Sequence, residues 1–229
     1  MKRNQSGFTL IEIAIVLVII GLLLGGVLKG QELINSAKVK NLATDFKNIP
    51  VFIYGYQDKF KALPGDDNCA YLSAGLCANP HMTAPAIVLA NSGTNGNGSG
   101  SGVIDGLWSD TAATPTSEAY NFWQHVRVAG LAPGPTDPTG DFRPTNAVGG
   151  RIGVTNAAKS PILTLKGSYI VCSDSIAGKF AKQLDITLDD GNPITGSLQV
   201  ITAGATAVGG AALPAPLVDD TPYLVCMGF

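Results

Sequence analysis

The stretch FTLIEIAIVLVIIGLLLGGVL, residues 8–28, decides how this fold begins. It follows the short basic segment MKRNQSG, residues 1–7. As a helix, its 21 residues would span about 31 Å, which is enough to cross a bilayer. Its single charged residue is Glu12, and a carboxylate in a lipid-facing helix costs about 2.5–3.5 kcal/mol. The stretch therefore predicts a membrane-spanning helix with a functional acid near its start.

Two ordinary export segments account for this stretch less well. A secretory signal peptide has an apolar core of about 7–15 residues, followed by small residues at the cleavage site. The apolar run here is longer, and no Ala-x-Ala sequence follows it. A plain membrane anchor would have the right length, but it would leave Glu12 without a purpose.

The hexapeptide Gly7-Phe8-Thr9-Leu10-Ile11-Glu12, with its basic leader and apolar continuation, resembles the processing site of type IV prepilins and of type II secretion pseudopilins. The resemblance implies that a prepilin peptidase cuts between Gly7 and Phe8 and methylates the new amino terminus at Phe8. Glycine suits position 7 because it alone has no side chain to hinder the cut. The resemblance further implies that Glu12 meets the amine of a neighbouring subunit, or, in the competing version, the amine of its own Phe8.

Charge and motifs exclude several function classes. Only 14% of residues are charged and the net charge is −2, with no basic cluster after the anchor, so we expect no nucleic-acid binding. The chain has no nucleophile elbow, phosphate loop or HExxH sequence, so we predict that it is not an enzyme. His125 is interpreted as a partly exposed structural residue on a helix.

Four cysteines lie beyond the anchor, at Cys69, Cys77, Cys172 and Cys226. An even number of cysteines in an exported chain predicts two disulfides, and spacing alone leaves three pairings open. A zinc site is disfavoured because there is no Cys-x-x-Cys and only two histidines. Resemblance to pilins with a carboxyl-terminal disulfide loop favours Cys172–Cys226, and therefore Cys69–Cys77.

The basic leader also predicts the topology. Lys2 and Arg3 should remain in the cytoplasm by the positive-inside rule. We therefore expect a single pass through the inner membrane, with the globular part in the periplasm before it enters a filament.

Helical periodicity continues beyond the membrane stretch. Apolar residues recur at three- and four-residue steps from Leu33 to Tyr56, which predicts one helix of about 50 residues. Pro50 should kink or interrupt it, and Leu63-Pro64-Gly65-Asp66 should follow its end.

The remainder predicts an α+β, pilin-like domain with an antiparallel sheet against the long helix. One short helix should start at the cap Ser117 and end near Gly130, and another should cover Ile176–Leu188 with Ser175 as its cap. The predicted strands are 151–154, 162–165, 168–172, 197–201 and 223–226. The expected organisation is a leader (1–7), a transmembrane and assembly helix (8–28), its head-packed continuation (29–62) and a globular head (63–229).

The glycine-rich segment 91–102 predicts a flexible loop. Alternating oxygen ligands make Asn95, Asn97 and Asp105 a weak calcium candidate, and Asp189 and Asp190, with Asn192, form a second. Both lack the ligand set of an EF-hand, so a plain solvated loop is favoured and no cofactor is expected.

The first functional hypothesis is a structural subunit of a type IV pilus or pilus-like filament. The alternatives are a type II secretion pseudopilin, and a minor tip pilin whose head binds a surface or partner. The resemblance implies as partners further copies of the chain, other pilins, the prepilin peptidase, an inner-membrane platform with its ATPase, and the lipid bilayer before assembly.

Overall fold

The computed structural model describes residues 10–229, except 74, 76, 89–95, 112, 115–116, 138–140, 142, 207, 211 and 214–215. Gly7, Phe8 and Asn95 therefore lie outside the described residues. The chain divides into two compact units, Met1–Lys38 and Val39–Phe229.

The long helix α1 covers Leu10–Phe60, which confirms the prediction of one helix of about 50 residues. The helix runs through Pro50 without a break, so the predicted interruption is wrong, while a bend at this proline stays a prediction. Within the second unit, α1 buries a face whose members recur at three- and four-residue steps, as a packed helix requires. These buried residues are Val39, Leu42, Ala43, Phe46, Ile49, Ile53 and Tyr56.

Helix α2 covers Glu118–Val128 and begins and ends as predicted. The Ser117 hydroxyl accepts a hydrogen bond from the Tyr120 amide at 3.3 Å, which caps the first turn. After the helix, Gly130 has a φ of +77°, a conformation that glycine adopts at little cost.

Within the described part of the chain, four antiparallel strands form one sheet, in the order β1-β2-β4-β3. They are β1 (Ile152–Thr155), β2 (Ile170–Ala177), β3 (Leu198–Thr202) and β4 (Pro222–Gly228). Four of the five predicted strands are therefore present. An α+β, pilin-like layout results, with a long N-terminal helix, an antiparallel sheet and short helices.

The fifth predicted strand, residues 162–165, is wrong. Ile162 and Leu165 are buried there, but the segment makes only an isolated bridge between Ile162 and Gly210. The segment is a loop whose two apolar side chains pack on one face of the sheet, and a buried loop produces the same apolar signal as a short strand.

Helix α3 covers Gly178–Leu188, and its predicted start was wrong. Ser175 lies within β2 at a register shift with a φ of +60°, and it does not cap the helix. Backbone carbonyls accept from the first amides instead: Thr221 from Gly178, and Asp219 from Lys179, both at 3.0 Å. These acceptors come from a distant segment, so no local cap sequence marks this helix start.

The two faces of the sheet are covered differently. On one face, alternate side chains of the strands pack in a large apolar cluster with residues of α2, of α3 and of the buried face of α1. The other face forms a smaller cluster that includes Trp108, Ile162 and Leu165 from connecting segments. The helices thus pack on one face, and loops cover the other.

Two disulfides join the four cysteines. Cys172 on β2 is bonded to Cys226 on β4, and the two residues are direct partners in the strand register. This is the pairing that the resemblance favoured. The second bond joins Cys69 to Cys77 and closes a much shorter loop.

We expect the Cys172–Cys226 bond to stabilise the head more than the Cys69–Cys77 bond. Their sequence separations are 54 and 8 residues, and chain-entropy estimates give about 4 kcal/mol and about 2.5 kcal/mol respectively. Urea unfolding of the purified chain, followed by tryptophan fluorescence, should show the larger loss for the Cys172→Ala/Cys226→Ala double variant. Cys69→Ala/Cys77→Ala is the matched control, and an equal or larger loss in that variant would contradict the ranking.

Candidate functional site

The first part of α1 is apolar and uncovered. Residues 10–28 are all exposed, and Leu10 is 93% exposed. Among the described residues, α1 is the one helix long and apolar enough to cross a membrane, and nothing within the chain buries its apolar window. A continuous apolar surface of this size requires lipid or another protein around it.

Glu12 lies in the first turn of α1, where the helix dipole favours a negative charge. It is the only acid between residues 10 and 28. Its predicted partner, the amine created at Phe8, lies outside the described residues. The position of Glu12 on the helix is therefore established, and its role in assembly stays a prediction.

The first half of α1 contains four glycines as two pairs spaced four residues apart: Gly21 with Gly25, and Gly26 with Gly30. A Cβ atom added at any of them would meet nothing within 4 Å, so the folded chain itself does not require glycine there. Small residues at this spacing allow close approach of another helix in membranes.

Comparison with family models gives one match at the amino terminus. Residues 2–28 carry the prokaryotic N-terminal methylation motif. This is the signal motif of type IV pilins and pseudopilins. The methylation motif contains the basic leader, Gly7, Phe8, Glu12 and the apolar run, so it includes every feature on which the sequence resemblance rested.

The methylation motif supports a type IV pilin-like or pseudopilin protein. It implies processing by prepilin peptidase and filament assembly with other pilins. Together with the long apolar helix, it fits a membrane-anchored chain. Comparison with curated proteins and with solved structures finds no match to this chain.

Two buried acids in the head hold the glycine-rich loop, whose described part is residues 96–102. The Asp66 carboxylate accepts hydrogen bonds from the amides of Ser101 and Gly102 at 2.8 and 2.7 Å, and from the Ser99 and Ser101 hydroxyls. The Glu118 carboxylate accepts from the amides of Ser99 and Asp105 at 2.7 and 2.9 Å. Burial nevertheless raises the pKa of Glu118 above its ordinary value.

Hydrogen bonds therefore fix the described part of this loop, which corrects the prediction of a flexible segment. The Asn97 side-chain oxygen accepts from the Tyr71 amide, and its NH₂ group donates to the Tyr71 carbonyl. Asp105 accepts from the Asn156 side chain at 2.9 Å. Asn97 and Asp105, which the sequence offers only as a weak calcium candidate, thus use side-chain oxygens in hydrogen bonds that hold the loop.

Gly98 has a structural reason to be glycine. A Cβ at this position would lie 2.2 Å from the Asp66 carbonyl carbon, so only glycine fits. Glycine here serves a close approach of two backbone segments, which sequence composition does not distinguish from flexibility.

We expect Asp66→Ala to destabilise the head by about 3 kcal/mol. Asp66 is buried, and its removal leaves several amide and hydroxyl donors without an acceptor. Urea unfolding should show the loss, and limited proteolysis should show new cleavage within residues 96–102. Asp58→Ala, at an exposed side chain on α1, should change stability by less than about 0.5 kcal/mol. Equal stability of the two variants would contradict this role for Asp66.

The structure corrects the interpretation of His125, which is fully buried. Its Nδ1 accepts from the Gly65 amide at 2.9 Å, so Nε2 carries the proton and donates to the Gly96 carbonyl at 2.8 Å. Burial lowers the pKa of His125, consistent with a neutral ring. His81 instead contacts the buried Asp67, whose Oδ2 also accepts from the Tyr56 hydroxyl.

A second acidic group lies at the end of α3. One carboxylate oxygen from each of Asp185, Asp189 and Asp190 lies within 4.8 Å of the other two. Burial, together with the nearby Asp190 and Asp189 carboxylates, raises the pKa of Asp185 to about 6. The sequence pattern indicates Asp189 and Asp190 as a weak cation candidate, but it does not indicate Asp185. The spacing Asp185–Asp189 is one helical turn, and that spacing could have identified it.

Proposed function

We propose that this chain is a structural subunit of a type IV pilus or pilus-like filament. It is made as a membrane-anchored precursor with its head in the periplasm, cut after Gly7 by prepilin peptidase, and methylated at Phe8. It then polymerises through α1. The observation that carries this proposal is the methylation motif at residues 2–28, whose apolar stretch forms the start of α1 and is exposed at every described position from 10 to 28.

The exposed helix supports polymerisation for a simple energetic reason. In the precursor, lipid covers residues 10–28, and transfer of that apolar surface to water would cost roughly 25 cal/mol per Å². A subunit can leave the membrane only if another apolar surface replaces the lipid. The equivalent helices of other subunits supply it, and the paired glycines along α1 allow them to approach closely.

Glu12 supports a defined register between subunits. Cleavage after Gly7 creates a cationic amine at Phe8, and opposite charges attract strongly where water is excluded. A carboxylate that finds this amine on a neighbouring chain offsets its own desolvation cost. We propose that this pair sets the axial position of each incoming subunit.

Fractionation of cells tests the proposal. The protein is measured by immunoblot in membranes and in sheared surface filaments, with and without an active prepilin peptidase. We expect it in both fractions when the peptidase is present, and only in membranes, as a longer precursor, when the peptidase is absent. An unchanged size and distribution in the two strains would contradict the proposal.

A further inference from the structure

The carboxyl-terminal end of α3 concentrates negative charge. Asp185 lies in the last turn, Asp189 is the C-cap, and Asp190 follows it. The negative end of the helix dipole points at the same place, and the last turn contains no basic residue. Among the described residues, no lysine or arginine forms an ion pair with these three acids. The charge is therefore not balanced by a cationic side chain.

A separate observation points to a missing ligand at this position. Asp185 is only 1% exposed, and its Oδ1 accepts from the Gly191 amide at 3.3 Å. Its Oδ2 is buried and has no hydrogen-bond donor within the described part of the chain. Proteins rarely leave a buried carboxylate oxygen unsatisfied, because its lost hydration is then not replaced.

We propose that Asp185, Asp189 and Asp190 bind a calcium ion. Calcium lies 2.3–2.6 Å from its oxygen ligands, so two oxygens on opposite sides are about 5 Å apart. One oxygen from each of the three carboxylates lies within 4.8 Å of the other two, which suits one ion between them. Backbone carbonyls and water complete its shell. Magnesium is a poorer match, because it usually keeps several waters and binds one or two carboxylates.

This site differs from the one predicted from sequence in its deepest ligand. The sequence hypothesis grouped Asp189 and Asp190 with Asn192, all in the turn after the helix. The structure adds Asp185 from the helix itself, and this is the residue with the unsatisfied oxygen.

The bound ion would connect α3 to the sheet. Asp189 also accepts from the amide of Leu198, the first residue of β3, at 2.8 Å. Asp190 accepts from the Asn192 amide and the Thr195 hydroxyl within the turn. Calcium bound to these two acids and to Asp185 therefore fixes residues 189–198 to the helix end and stabilises the head, whichever filament contains the chain.

Calcium binding is tested with the purified full chain in detergent micelles after treatment with EDTA. Titration calorimetry with CaCl₂ should give a Kd of about 10⁻⁴–10⁻³ M, the range of extracellular calcium modules. Tryptophan fluorescence should show the melting temperature rise by about 5 °C at saturating calcium. No binding heat and no shift at about 10 mM calcium would overturn the proposal. An equal shift with MgCl₂ would overturn the assignment to calcium.

The Asp185→Asn variant distinguishes a metal-binding role of Asp185 from a purely structural role. It should abolish the calcium response and melt no lower than the wild type in EDTA, because it removes one of three crowded charges. A purely structural Asp185 would instead melt lower with and without calcium, which would overturn the proposal. Asp220→Asn is the matched control: it is exposed near the start of α3 and should keep the full response.

If Asp185→Asn does not fold, Asp190→Asn tests the same site, because Asp190 is exposed and its loss does not disturb the core. It should weaken calcium binding at least about tenfold. Unchanged affinity in that variant would overturn the proposal.

Discussion

Replacing Glu12 with alanine should reduce the amount of this protein in filaments at least tenfold while its amount in the membrane stays the same. The change removes a carboxylate from the apolar helix, so insertion becomes no harder. Assembly loses the partner of the Phe8 amine and leaves that charge uncompensated in an apolar environment. A cost of only 1.4 kcal/mol per subunit already corresponds to a factor of ten.

The matched control is Ile13→Ala, which shortens the next side chain on the same helix without removing a charge. Immunoblots of sheared filaments and of membranes measure both variants beside the wild type. Ile13→Ala should enter filaments at close to the wild-type amount. Normal incorporation of Glu12→Ala would contradict the role of this acid in register.

Replacing Gly7 with valine should block maturation completely. The peptidase needs an unhindered residue before the cut, and a β-branched side chain prevents that fit. The variant should accumulate in membranes as a precursor that still begins with its leader. Without cleavage no amine forms at Phe8, so the variant should be absent from filaments.

Gly30→Val is the matched control for the Gly7 variant. It also replaces glycine with valine, at a position where an added Cβ would meet nothing within 4 Å. It should be cut normally, as judged by the shift from precursor to mature size on gels. Mature protein from Gly7→Val would contradict the assignment of the cleavage site.

Features encoded by local pattern could be predicted from the sequence. The apolar run and the three- and four-residue periodicity predicted nearly the whole of α1, from Leu10 to Phe60. Ser117 and Gly130 predicted both ends of α2, because helix caps depend on residues next to the helix. The methylation motif is equally local, since its residues act together within one segment.

Features that depend on distant segments could not be predicted in this way. Helix α3 begins at Gly178 because carbonyls of Asp219 and Thr221 accept its first amides. The glycine-rich loop is ordered at Gly98 because Asp66 and Glu118, far away in sequence, hold its amides. In both cases the local sequence contains the amides that donate the hydrogen bonds, whereas the acceptors lie in distant segments.

The acidic group at the end of α3 was partly visible in the sequence. Adjacent carboxylates at Asp189 and Asp190 suggested a cation site, whereas Asp185 reads as an ordinary polar position of a helix. Only the fold shows that Asp185 is buried and that one of its oxygens lacks a donor within the described residues.

Mass spectrometry of the amino-terminal peptide from sheared filaments and from membranes tests directly whether this chain is processed and assembled as a pilin. We expect a peptide that begins at N-methylated Phe8 in the filament fraction, and none that begins at Met1 there. Chains that retain residues 1–7 in both fractions would contradict this expectation.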